Sequence, residues 1–377
     1  MTDDHKDFAL DCAEIAAGRY NKGEIDRRTF LGAIAALGII PAAASIPLRG
    51  AIAAPDEIVV VNWGGPAIEA YEEAFGIPFE KDTGIKVVID GTGPSGGKMK
   101  AMVESGAVTW DVCDSGIGTT LVLGKAGILE PIDYSIVDKS KVYEKFIFDH
   151  GLANYLFSFA LTYAKSRVPR APTGWKDFWD LETFPGKRTM RKNPIGMLES
   201  TMMAEGVPID KVYEELSKPD GLDRALAKVA EIKDEVIFWG SGSESQQLFR
   251  TGEVVMGNIW HTRALLLHRE TGGDIEWTWN QGVVTCGTWV VPKGNPAGKA
   301  AMEFIASSQA PEQQISLFKA MGNGPANPAA AELVPDDLKQ YDPGQKANYD
   351  VQLPFNGEWY LEHQETAVSR YLEVISG

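Results

Sequence analysis

The sequence predicts an α/β protein built as two lobes, each a sheet flanked by helices. Three observations carry the prediction. Short β-branched runs alternate with segments of helical spacing along much of the chain. Each run enters a Gly- or Ser-rich turn, as strands of a parallel sheet do before a helical crossover. The 377 residues also exceed what one hydrophobic core usually organises.

In chain order, Glu57–Trp63 is a β-branched strand that stops at Gly64-Gly65-Pro66. Ala67–Thr83 follows as a helix, with Ile68, Tyr71, Phe75 and Phe79 on one stripe, and closes at Gly84. Ile85–Asp90 is the next strand, Gly91–Gly97 its turn and Lys98–Glu104 a helix. Thr109–Asp114 is a third strand, ending at Ser115-Gly116. In such sheets ligands bind at the carboxyl ends of strands. Asn62–Pro66, Gly93–Gly97 and Asp114–Gly118 are therefore candidate site segments, each offering backbone N–H groups at a helix start.

Tyr155–Tyr163 is apolar and aromatic and reads as a long strand between lobes. In the second lobe, Trp175–Trp179 reads as a surface helix, Lys187–Lys192 as a strand and Pro208–Lys233 as mostly helix. Val236–Trp239 runs into the turn Gly240–Ser243 and the helix Glu244–Arg250. Val254–Trp260 is a strand that ends in the turn His261–Arg263. After Val283–Pro292 come helices at Ala297–Ser307 and Pro311–Met321, then an acidic helical C-terminus.

Residues 1–53 read as an address rather than as fold. Arg27-Arg28-Thr29-Phe30-Leu31 precedes an Ala/Gly/Ile-rich run to Pro47, then Arg49 and the small residues Ala51-Ile52-Ala53. The arginine pair followed by x-Phe-Leu resembles a twin-arginine export signal, with Asp26 and Gly32 as departures from its usual pattern. Pro41 interrupts the apolar run, which is barely of spanning length, so a membrane anchor is the weaker reading. Cleavage after Ala53 removes six basic and seven acidic residues and leaves a net charge of −15. The mature protein is then expected to be soluble and periplasmic.

Composition excludes several functions. Thirty-six Lys+Arg against 52 Asp+Glu give a net charge of −16, which argues against nucleic acid or an anionic membrane as partner. Cys12, Cys113 and Cys286 form neither a disulfide framework nor, with the five histidines, a metal-ligand cluster. Once exported, Cys113 and Cys286 either pair or remain two buried thiols. No H-E-x-x-H is present, and no metal, cofactor or catalytic residue is expected.

Several segments resemble the extracellular solute-binding proteins of ABC importers, in the branch that includes spermidine/putrescine binders. Asn62-Trp63, then Lys81-Asp-Thr-Gly-Ile-Lys-Val87, resembles the family's opening. Thr109-Trp-Asp-Val112 and Gly127-Ile-Leu-Glu-Pro-Ile-Asp133 are similar to its third strand and following turn. Glu253-Val-Val-Met-Gly-Asn-Ile-Trp260, Val290-Val-Pro292, Ala301-Met-Glu-Phe-Ile305, Gly322-Asn-Gly-Pro-Ala-Asn-Pro328 and Asn356-Gly-Glu-Trp359 extend the likeness through the mature chain. The resemblance implies a type II periplasmic binding protein. Its first lobe would be residues 54–160 with about 285–325, its second about 161–284, and 326–377 would pack mainly on the second. Crossovers are expected near Ser158–Tyr163 and Val283–Trp289. The ligand would sit in the cleft and close the hinge, a permease in the inner membrane would read the closed form, and the protein would be a monomer.

Trp260 and Ser115 stand where polyamine binders have a pocket Trp and a pocket Ser. The polyamine acids do not carry over. Arg191-Lys192-Asn193-Pro194-Ile195-Gly196 replaces a carboxylate pair, Gly287 falls at another acid, and Thr285 falls at a Trp. Asn323 replaces a pocket Tyr, and Tyr360 a polar residue. A buried cation left without these acids would be costly. The expected lining is Asn62, Trp63, Gly64, Ser95, Ser115, Trp239, Ser241, Trp260, His261, Thr285, Thr288 and Asn323, with positive charge from Arg191 and Lys192 and one carboxylate from Asp114 or Glu244. That set favours a zwitterion or small anion, such as an amino-acid derivative or organic acid. The alternatives are a genuine spermidine/putrescine receptor, an exported twin-arginine enzyme, and a sensor module.

Overall fold

The computed structural model describes residues 55–377, so the predicted export signal lies outside the described residues. The strands are β1 (Glu57–Val61), β2 (Lys86–Asp90), β3 (Val112–Gly116), β4 (Ile147–Phe148), β5 (Gly151–Ala164), β6 (Arg188–Arg191), β7 (Val236–Trp239), β8 (Met256–Trp260), β9 (Ile275–Val290), β10 (Gly324–Pro325) and β11 (Leu353–Pro354). They join one sheet along the path β2-β1-β3-β9-β5-β8-β6-β7, with β4 and β10 on β5 and β11 on β9. Both ends of the path are parallel: β1 pairs with β2 and β3, and β6 with β7 and β8. The expected alternation of strand and helix produces these ends.

The middle is different. β5 and β9 are long, and they pair antiparallel from Leu152↔Trp289 to Ala164↔Ile275, with irregularities at Ala153/Tyr155 and Phe159/Leu161. β5 is buried almost throughout, so it lacks the polar alternation of a one-sided strand. The sheets of the two lobes are therefore continuous through β5 and β9, where two separate sheets were expected. Val283–Trp289 is the second half of a strand that begins at Ile275.

The helices used below are α1 (Ala67–Tyr71), α2 (Ile77–Thr83), α3 (Gly96–Ser105), α4 (Ile117–Lys125), α5 (Met197–Ala204), α6 (Gly221–Ile232), α7 (Gly242–Arg250), α8 (His261–Glu270), α9 (Lys299–Ser307), α10 (Pro311–Met321) and α11 (Gly357–Ser376). The predicted helix 67–83 forms as α1 and α2 joined by the π-turn Glu72–Gly76. Pro78, early in α2, has no N–H for the carbonyl four residues back, and its ring crowds that carbonyl, which accounts for the slipped turn.

Buried apolar side chains separate into two large cores. One contains Ile58, Phe75, Leu152, Trp289 and Phe304, backed across the sheet by Val61, Met99 and Trp110. The other contains Phe159, Trp175, Met190, Met202, Trp239 and Tyr371. α11 packs against α4 and α6. Trp175–Trp179 is helical, but Trp175 and Phe178 are fully buried, so the expected surface helix is a core element. No helix among the described residues is long and apolar enough to cross a membrane.

Candidate ligand-binding site

A cavity of about 130 Å³ is lined by the carboxyl ends of β3, β6 and β8, by β5 and β9, and by the first turns of α4 and α8. Its size is of the order of an engineered cavity of about 150 Å³ that takes up benzene, so it suits a small solute. Of the expected residues, Trp63, Asp114, Ser115, Arg191, Trp260, Thr285 and Asn323 line it. Trp63 and Trp260 meet edge to face with ring centroids 5.9 Å apart, and Phe157 meets Trp260 at 6.3 Å.

Asp114 is the acid of the cavity. It is 1% exposed, and its carboxylate accepts hydrogen bonds from Tyr71 Oη at 2.6 Å, Tyr155 Oη at 2.9 Å and Asn154 Nδ2 at 3.1 Å. Burial pushes its pKa up to about 6, against the pull of those donors, so it is ionised at neutral pH. Sequence reasoning found Asp114 but missed Tyr71 and Tyr155, which come from a helix and a crossing strand far away in the chain.

Two guanidiniums face the same space. Arg191, at the end of β6, lies over the rings of Trp260 at 5.1 Å and Trp239 at 5.7 Å. Burial lowers its pKa to about 10, which leaves it charged. Arg263, on α8, is 2% exposed; its Nε and Nη1 find no acceptor among the described residues, and Nη2 makes only a 3.5 Å contact to Gly64 O. Arg263 was not expected. The sequence reading placed His261–Arg263 in a turn, whereas these residues open a helix.

The remaining expected residues take other roles. Asn62 is an Asx turn: Oδ1 accepts from Gly64 N at 2.9 Å and Nδ2 donates to Ala67 O at 2.8 Å. Gly64 has a φ of +71°, and an added Cβ would stand 2.4 Å from Gly91 O. Ser95 and Ser241 are N-caps of α3 and α7, accepting from Lys98 N and Glu244 N. Trp239 supports the cavity from behind, its Nε1 bonded to Asn258 O and its ring 5.2 Å from that of Trp260. Thr288 shares a 2.7 Å hydrogen bond with Thr120. Lys192 is exposed.

His261 is a fastener between chain segments. Its Nδ1 accepts from Ser158 N at 3.0 Å on β5, so the neutral ring carries its proton on Nε2 and donates to Gly322 O at 2.9 Å. Burial holds its pKa down at about 4. An unfolded histidine takes up a proton near pH 6.5, so folding stability contributed by this site is lost as pH falls from 6.5 to 4, by about 3 kcal/mol. The difference in unfolding free energy between wild type and His261→Asn is expected to shrink by about that amount between pH 7.5 and 4. Equal differences at both pH values in urea titrations would contradict the assignment.

The missing polyamine acids have a steric counterpart. A Cβ on Gly287 would fall 2.4 Å from Asn154 Oδ1 and 2.5 Å from Tyr155 Cζ, so no acid fits there without displacing two donors of Asp114. Tyr360 does not line the cavity; the single proton of its hydroxyl is shared between Glu199 Oε2 at 3.2 Å and Pro194 O at 3.3 Å. Glu199 is a buried carboxylate that also accepts from Tyr213 Oη at 2.8 Å and Gly196 N at 2.9 Å. Cys113 and Cys286 are both buried and free. Cys113 pairs with Val290, four residues from Cys286 along β9. Four residues of strand span about 13 Å, well beyond disulfide reach.

Gly91-Thr-Gly-Pro-Ser-Gly96 has the glycine spacing of a dinucleotide fingerprint, and Gly93–Gly97 that of a serine nucleophile elbow. Neither pattern reaches the cavity lining, and the Ser95 hydroxyl caps α3 without an imidazole partner among the described residues. No group of His, Cys, Asp and Glu among the described residues is arranged to hold a metal ion.

A small cavity lined from both cores and carrying a few charged and polar groups among aromatic ones, with two long strands crossing between the cores, defines a two-lobed solute-binding protein. The chain belongs to the bacterial extracellular solute-binding protein family, whose model matches residues 75–345. It is 30% identical over 315 residues to the gamma-aminobutyric acid-binding protein of Pseudomonas aeruginosa, covering 83% of this chain and 89% of that one. Among solved structures, the PBP MotA from A. tumefaciens B6 in complex with glucopine is 31% identical, with a TM-score of 0.80 over 85% of this chain and 99% of that one. The PBP AgtB from A. tumefaciens R10 in complex with agropinic acid is 29% identical, with a TM-score of 0.77 over 85% and 99%. The chain is thus an ABC-transporter substrate-binding protein for a small polar solute, and nothing in this set singles out polyamines.

Proposed function

We propose that the protein is a monomeric periplasmic receptor that delivers a small amino-acid-like zwitterion to an inner-membrane ABC permease and catalyses no reaction. One observation carries the reading: an anion, Asp114, and a cation, Arg263, are both buried and both line one cavity without pairing with each other. Leaving two buried opposite charges unpaired is unfavourable unless something complements each of them. A ligand with an ammonium at one end and a carboxylate at the other does so. The unpartnered acceptors Asn323 Oδ1 and Gln364 Oε1 also line the cavity and can accept from an ammonium.

The two cores support lobes at 54–160 with about 285–325 and at about 161–284, with 326–377 mainly on the second. Asp114 belongs to the first lobe and Arg191 and Arg263 to the second, so the ligand stabilises the closed form by touching both. Residues 1–53 serve as a twin-arginine export signal that is removed. The likeness to receptors for gamma-aminobutyric acid and for the glucopine and agropinic acid ligands agrees with an amino-acid-like solute. In thermal-shift titration, 4-aminobutanoate or a related amino acid raises the melting temperature at micromolar concentration, and putrescine leaves it unchanged. Stabilisation by putrescine, without any by amino acids, would overturn the reading.

A further inference from the structure

The charges that line the cavity do not balance. Its ionisable residues at neutral pH are one acid, Asp114, and two guanidiniums, Arg191 and Arg263. Neither guanidinium forms an ion pair among the described residues: Arg191 rests on two indole rings, which leave its N–H edge free, and Arg263 Nε and Nη1 have no acceptor. Asp114 already accepts three hydrogen bonds from neutral donors. Two helix N-termini strengthen the positive side. Gly116–Thr119 opens α4 and Thr262–Arg263 opens α8; both starts line the cavity and neither has a side-chain cap. Their free N–H groups favour negative ligand atoms. A neutral zwitterion matches Asp114 with one guanidinium and leaves Arg191, which is only partly exposed, without a counter-charge in the cavity.

We infer that the ligand carries two carboxylates and one ammonium, and that Arg191 is the residue that selects the second carboxylate. The inference rests on the zwitterion reading and deepens it: Arg263 takes the carboxylate every ligand has, and Arg191 the additional one. The class includes acidic amino acids and N-carboxyalkyl amino acids. A guanidinium held over the rings of Trp239 and Trp260 presents a two-pronged fork that a carboxylate can fill.

Matched ligands test it by calorimetry on the full chain. 4-Aminobutanoate is compared with L-glutamate, which adds a carboxylate on carbon, and with N-carboxymethyl-4-aminobutanoate, which adds one on nitrogen. At least one diacid is expected to bind ten-fold or more tighter than 4-aminobutanoate. Arg191→Met should bring that ratio to about one by weakening diacid binding ten-fold or more. If 4-aminobutanoate binds as tightly as both diacids, or if Arg191→Met leaves the ratio intact, the second-carboxylate inference fails and the zwitterion reading stands. If glutarate, which lacks the amine, binds as tightly as glutamate, or if none of the three amino compounds binds, the zwitterion reading itself fails.

Discussion

Replacing Arg263 with Met is expected to weaken ligand binding about 100-fold or more and, at the same time, to raise the melting temperature of the ligand-free protein. The two effects share one cause. Arg263 is 2% exposed and has donors without acceptors among the described residues. An unpaired buried charge destabilises the fold, and an apolar side chain of similar length relieves that cost. In the complex the same guanidinium meets a carboxylate, and removing one partner of a buried, hydrogen-bonded charge pair costs about 2–5 kcal/mol. Calorimetry and thermal melting on the same preparation check both signs. Loss of binding with a lower melting temperature would mean that Arg263 mainly holds the fold together.

Asp114→Asn is the second large effect. Ammonium recognition falls about 100-fold at pH 7.5, for the same reason with the sign reversed. The pH dependence separates a ligand-binding role from a packing role. The wild-type carboxyl titrates near pH 6 in the free protein, so affinity for an ammonium should decline about ten-fold per pH unit below that point. In Asp114→Asn that decline is absent. The stability of the ligand-free protein moves the other way. The folded carboxyl keeps its proton up to about pH 6 and the unfolded one only to about 4, so stability from this group is lost as pH rises through that window, by about 3 kcal/mol. The variant loses that drift as well. Affinity profiles from pH 5 to 8 that coincide for the two proteins would show that Asp114 does not meet the ligand.

Much of this was legible in the primary structure, and the exceptions have physical reasons. The ends of the sheet, the crossing strand at Tyr155–Tyr163 and the cavity residues Trp63, Asp114, Ser115, Arg191 and Trp260 follow from local pattern, because strands end at glycine turns and ligands gather at strand ends. Ser95 and Ser241 sit at equally plausible strand ends but serve as helix caps. A hydroxyl before a helix has the same appearance in sequence whether it binds the chain or a ligand. His261 and Arg263 were misjudged together by a single question of helix against turn. Two residues apart on a helix point about 200° apart. The helix therefore turns His261 toward Ser158 and Gly322, while Arg263 lines the cavity. Tyr71, Tyr155 and Gln364 reach the site through tertiary packing alone, which no period or motif encodes. The continuity of the sheet through β5 and β9 was hidden for a related reason: pairing between strands more than a hundred residues apart has no local signature.

One small zwitterion is expected to bridge Asp114 and Arg263 across the cavity. A crystal structure of the protein with its tightest-binding amino acid tests this most directly. The ammonium should lie within about 3.2 Å of the Asp114 carboxylate, with a ligand carboxylate bonded to the Arg263 guanidinium. A ligand lying outside this cavity, or one whose charged groups touch neither residue, would contradict it.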